Sequence, residues 1–234
     1  MVLLELQFVT KDKNMSLGLR MFGNRELTFD EISIVRKAIC EIEADESVFV
    51  FNDMDHLMHT CYVAKDDKVY IGCDVFPDTD HGSIHPRDLM SIRAVLAHEY
   101  YGHRLYREEY LNDELLGVET TPEWKDECRA SRTAAQKAPG LTQMDRANLC
   151  QDAVFRAHEY GFEMEIDSFM KEAVWGYGNS EKYFTRPVKI RFIRIAGNSG
   201  NENEWENDSE MPELWTGPYR EDNGNVRSKG SRSL

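Results

Sequence analysis

The chain has 234 residues, 41% hydrophobic and 11% aromatic, with a formal net charge of −14. That is enough apolar material for one packed domain with appendages, and the acidic balance argues against nucleic acid or an anionic membrane surface as main partner. Five dispersed cysteines (Cys40, Cys61, Cys73, Cys128, Cys150) without C-x-x-C pairing argue against a disulfide framework or a Cys-rich zinc ribbon and fit a reducing compartment. Met1–Leu6 lacks a basic, apolar leader pattern, and no run approaches the ~18 apolar residues of a membrane span, so a cytoplasmic protein is expected. Nothing in the pattern speaks to oligomeric state.

In chain order, loose alternation from Val2 to Thr10 suggests a first strand. Thr28-x-x-Glu31 has the form of a capping box, opening an amphipathic helix through Ile32, Ile34, Val35, Ala38, Ile39 and Ile42. Ser47–Phe51 reads as a short buried strand. Cys61–Ala64 and Val69–Cys73 flank Lys65–Lys68 as a hairpin, with Val69–Cys73 the expected edge strand for an extended peptide. An acidic loop, Asp74 to Gly82, leads to His85-Pro86 and a long helix to about Tyr110, apolar at Leu89, Ile92, Val95 and Leu96.

Thr121-Pro122 starts a further helix to about Lys137, which Ala138-Pro139-Gly140 breaks. Helices are expected from about Thr142 to Tyr160 and from Phe162 to Trp175, then a strand over Val188–Ile195. From Gly197 the composition turns polar. The expected organisation is one domain over residues 1–196 and a flexible tail over 197–234, docked at most by Trp205 or Trp215. With strands ahead of helices in blocks, the class is α+β: a small N-terminal sheet packed on a helical C-terminal part.

The chemistry concentrates at His98-Glu99-Tyr100-Tyr101-Gly102-His103. It resembles the zinc-hydrolase pattern H-E-x-x-H with one residue added. On a regular helix each residue advances about 100°, so His103 would lie about 140° around from His98 and the pair could not share an ion. A one-residue π-bulge removes the mismatch, and Gly102 is the natural place for it. A catalytic zinc needs a third protein ligand, and the helix after Thr121 offers Glu123, Asp126 and Glu127.

The choice among these carboxylates rests on a resemblance. His-Glu-x-x-Gly-His followed by Glu-Glu-Cys-Arg-Ala-Glu/Asp marks the dipeptidyl peptidase III family of zinc metallopeptidases. The corresponding residues are His98–His103 and Asp126-Glu127-Cys128-Arg129-Ala130-Ser131. The resemblance implies a zincin-like, gluzincin-type domain, with His98, His103 and Glu127 as zinc ligands and Glu99 as catalytic base. It implies a peptide or protein substrate. It covers little beyond residues 98–131, the chain has Tyr100-Tyr101, Asp126 and Ser131 where the family has a leucine pair, Glu and an acid, and the gap between motifs is shorter. A second lobe, which fixes the peptide's N-terminus in that family, is not expected within these 234 residues.

Such a site hydrolyses a peptide bond with a metal-activated water and a carboxylate base, and needs a further electrophile for the oxyanion. His158 is the candidate taken for that catalytic role, with Tyr160, Tyr101 and Tyr177 as others; a solvated or packed His158 is the plainer reading. Ala157–Tyr160 repeats Ala97–Tyr100 with nothing around it repeating. Glu123 and Asp126 read as helix N-terminal charges, Asp78-x-Asp80-His81-Gly82 as an acidic turn, His56 and His59 as loop residues, and Cys128 as packing. The competing function is a non-catalytic metal-binding interaction or regulatory module that keeps the zincin fold.

Overall fold

A computed structural model describes residues 23–77, 86–176 and 180–195. The expected strand over residues 2–10, the Asp78–Gly82 turn, Tyr177 and the tail from Gly197 lie outside the described residues. The rest is α+β. Helices α1 (Phe29–Glu41), α2 (Ile92–Ala97), α3 (Arg107–Leu116), α4 (Glu123–Lys137), α5 (Gln143–Glu159) and α6 (Ser168–Trp175) accompany two small sheets. One sheet holds β1 (Phe49–Phe51), β2 (Cys61–Val63) and β3 (Lys68–Ile71); the other pairs β4 (Phe162–Met164) with β5 (Phe192–Arg194). Among the described residues, no helix is long and apolar enough to cross a membrane.

Local signals set most boundaries. Thr28 accepts from Glu31 N–H while the Glu31 carboxylate takes Thr28 N–H, the reciprocal cap expected from the sequence. Thr142 and Asp145 do the same for α5. Ser91 caps α2 and also donates to Asp145 at 2.6 Å, joining the starts of α2 and α5.

The core runs from Val35, Ala38, Ile39 and Ile42 on α1, under Val69 and Ile71 of β3, to Leu96 of α2 and Leu149 and Ala153 of α5. Helix α4 threads its middle. From Cys128 to Gln136 every residue of α4 is buried, as befits a helix covered on all sides. Most of these residues are small. Among the large ones, Arg132 donates to Gln136 at 2.8 Å and to Asp167 at 2.5 Å, with its guanidinium over Phe169.

Three expectations need correction. The long helix to Tyr110 is broken: a 3₁₀ turn over Pro86–Leu89 precedes α2, and the chain then changes winding over His98–Gly102 and again over His103–Tyr106. Phe162 does not open a helix but lies in β4, paired antiparallel with Phe192–Arg194, and α6 begins only after the Asp167 cap. That pairing is non-local and leaves no trace in the periodicity near Phe162.

The third concerns the sheet edge. The strand order is β1-β3-β2, so the Val69 strand is central, parallel to β1 and antiparallel to β2. Neither of its edges is free along the paired residues. β2 is the outer strand on the side of the histidine motif.

Candidate metal centre

The site begins with the change of winding at His98. His103 N–H donates to the carbonyl oxygens of Glu99 and His98, the latter five residues back, closing a π turn over His98–Gly102. The extra residue of the motif is absorbed there, and the imidazoles face each other with Nε2 atoms 3.0 Å apart. Gly102 has a task the sequence reading did not give it. A Cβ at that position would lie 2.6 Å from Ala130 O and 2.9 Å from its carbonyl carbon. The glycine lets the backbone of the π turn rest directly on α4.

That approach delivers Glu127. Its Oε2 is 3.3 Å from His98 Nε2 and its Oε1 is 3.5 Å from His103 Nε2. Zinc bonds of about 2.0–2.1 Å in a tetrahedral arrangement separate ligand atoms by about 3.3 Å, so the spacing fits. Among the described residues, His98, His103 and Glu127 form the one cluster whose donor atoms all lie within 4.8 Å of one another. The group could hold a metal ion.

Hydrogen bonds behind the two rings fix the role of each Nδ1. Ser131 Oγ donates its one proton to Asp152 Oδ2 at 2.5 Å, because a carboxylate can only accept. Ser131 must then accept from His98 Nδ1–H, 2.8 Å away. Tyr110 likewise gives its proton to Asp126 at 2.8 Å, so His103 Nδ1, at 3.0 Å from Tyr110 and 3.1 Å from Asp126, is the donor there. With each Nδ1 committed outward, both Nε2 atoms are turned toward each other and toward Glu127. Such an arrangement asks for a cation between them.

Burial opposes charge on Glu127, yet the His103 and His98 imidazoles hold its carboxyl well below the usual range. Burial also disfavours a His103 cation, but Asp126 and Glu127 push that imidazole well up. Glu99 differs. Burial raises its pKa, the nearby histidines counteract this only in part, and Glu127 adds to the rise. Its Oε2 accepts Tyr62 N–H from β2 at 2.9 Å.

Each letter of Glu-Cys-Arg-Ala has a task. Glu127 faces the histidines. Cys128 is buried against α5 and donates to Ala153 O at 3.2 Å; burial pushes its thiol up to about 12, which fits packing and not nucleophilic work. Arg129 grips Asp126 and Glu109, both at 2.7 Å, with its guanidinium over Tyr106. Ala130 is the floor beneath Gly102. Asp126 does stand in the first turn of α4, as expected, but it also steadies His103. The β2–β3 hairpin is tied to the same region by the Arg104 guanidinium on Asp67 (2.8 and 2.9 Å) and by Arg107 Nε on Ala64 O at 2.9 Å.

Other expected residues do not converge. His158 is exposed in the last turn of α5, about 200° around the helix from Arg156, whose Nη1 lies 3.0 Å from Glu127 Oε2. Tyr160 stacks on Trp124, and the Tyr101 hydroxyl donates to Ile42 O at 2.8 Å. Glu123 is exposed, His56 pairs with Asp53 at 2.7 Å, and His59 is exposed beside Asp74. The sequence does not single out Arg156 and Asp152. Their i,i+4 spacing was visible, but no local signal places α5 behind α4.

No family model matches the chain, and no curated protein and no solved structure shows significant similarity to it.

Proposed function

We propose that this protein is a zinc-dependent metallopeptidase of zincin-like, gluzincin-type architecture. The observation that carries the reading is the convergence of His98 Nε2, His103 Nε2 and a Glu127 oxygen, with the buried Glu99 carboxylate beside them. A His₂Glu set is an established catalytic zinc site, whereas a structural zinc takes a fourth protein ligand, which the cluster lacks among the described residues. Bound there, zinc would polarise a scissile carbonyl and bring the pKa of a coordinated water toward 7.

The chain's own residues supply the rest. Glu99, next in sequence to His98, takes the proton of the attacking water. Its raised pKa suits a group that must accept a proton and then return it to the leaving amine. The Tyr62 N–H holds one carboxylate oxygen, fixing the direction of the base.

A second reading is favoured by the Tyr62–Glu99 hydrogen bond itself. In a non-catalytic metal-binding module, Glu99 would be a tie between the sheet and the π turn. Glu99→Gln separates the two, since the amide oxygen still accepts from Tyr62 N–H. Under the peptidase reading, zinc-loaded protein cleaves internally quenched peptides and Glu99→Gln loses about 10²–10⁴-fold in rate with its zinc retained. Equal cleavage by both proteins, or none by either, would favour the module.

A further inference from the structure

The second motif ends in Ser131, where the resembled family has an acid. The structure shows where a negative charge reappears. Asp152 on α5 stands directly behind Ser131, and both residues are fully buried. Ser131 Oγ lies 2.8 Å from His98 Nδ1 and 2.5 Å from Asp152 Oδ2, so imidazole, hydroxyl and carboxylate form one chain. A hydroxyl alone gives no direction to that chain, because serine both donates and accepts. The carboxylate behind it does. With its proton committed to Asp152, Ser131 can only accept from Nδ1–H, and the His98 Nε2 lone pair is left facing Glu127.

One turn along α5, Arg156 completes a ring. Its Nε donates to the same Asp152 Oδ2 at 2.9 Å and its Nη1 reaches Glu127 Oε2 at 3.0 Å. A single guanidinium thus joins the carboxylate behind His98 to the carboxylate in front of it, and Glu127 closes the circuit to His98 Nε2 at 3.3 Å. Helix α5 contributes no ligand, yet it holds ligands on two other elements.

We propose that Ser131 and Asp152 work as one positioning unit for His98, a carboxylate acting through a hydroxyl, and that Arg156 extends the unit to Glu127. The inference rests on His98, His103 and Glu127 being the zinc ligands. Outer partners of metal-bound histidines typically contribute 10–100-fold in affinity. Because Ser131 and Asp152 lie in series, removing either should cost about as much as removing both.

The test uses the full chain. Zinc affinity is measured by chelator competition for the native protein, Ser131→Ala, Asp152→Asn and the double variant, alongside metal-free thermal melts. Ser131→Ala and Asp152→Asn should each weaken zinc about 10–100-fold, with the double variant no weaker than the poorer single. Ser131→Ala should keep the native metal-free melting temperature to within a few degrees. Native affinity in both singles, or losses that multiply in the double, would overturn the unit. Should Asp152→Asn fail to fold, ring ¹⁵N shifts of His98 in the metal-free native protein decide: Nδ1–H supports the unit and Nε2–H overturns it. A native protein that takes up no zinc fails the metal reading instead, and is recognised as such because the Nδ1–H tautomer would remain.

Discussion

The same four residues, Ala-His-Glu-Tyr, occur at Ala97–Tyr100 and at Ala157–Tyr160, and they do entirely different things. In the first copy His98 and Glu99 are buried, 6% and 8% exposed, inside a π turn pressed against α4. In the second, His158 and Glu159 are exposed at the end of a regular helix. Tyr100 stacks on Phe49 and lies under Arg104, while Tyr160 is 58% exposed against Trp124. Composition is identical, so the difference comes from what faces each copy. His98 has a second imidazole, a carboxylate and an anchored serine around it, and the π turn aligns them.

Exchange of corresponding residues gives the largest expected contrast. His98→Ala should lose stoichiometric zinc altogether, measured by atomic emission on desalted protein, and His158→Ala should keep it. Equal zinc in the two variants would break the comparison at its root.

A smaller effect probes the turn. Gly102→Ala places a methyl group into the Ala130 carbonyl, so the π turn and α4 must part. Overpacking of this kind costs about 1–3 kcal/mol, and urea unfolding should report it as a lower midpoint with an unchanged slope. Zinc affinity should fall with it, since Glu127 rides on α4. A Gly102→Ala protein as stable as the native one would mean that the close approach is not needed.

The smallest contrast lies in the tyrosines. Tyr160→Ala removes an exposed ring from its stack on Trp124 and should cost about 0.5–1.5 kcal/mol without altering zinc affinity. Tyr100→Ala should cost more, because Tyr100 also receives Asp45 N–H and the Arg104 guanidinium. Urea midpoints in the reverse order would show that burial is not what separates the copies.

The parts of this picture legible in the sequence are those with short-range causes. The Thr28–Glu31 cap, the break at Pro139-Gly140, the β2–β3 hairpin and the displaced helical winding at Gly102 each follow from a few neighbouring residues. His98, His103 and Glu127 were legible only because their spacing resembles a known pattern. What escaped was long-range. No local signal places β1 beside β3, pairs Phe162 with Arg194, sets Tyr62 on Glu99, or brings Asp152 and Arg156 behind His98 and Glu127. Those contacts are fixed by tertiary packing around α4, which periodicity does not encode.

The central claim is that His98, His103 and Glu127 together hold zinc. X-ray absorption at the zinc edge on the 234-residue chain tests it most directly. The account predicts imidazole nitrogen at about 2.0–2.1 Å, carboxylate or water oxygen at about 2.0–2.2 Å, and no sulfur. A zinc–sulfur shell at about 2.3 Å would place the ion on the cysteines and contradict it.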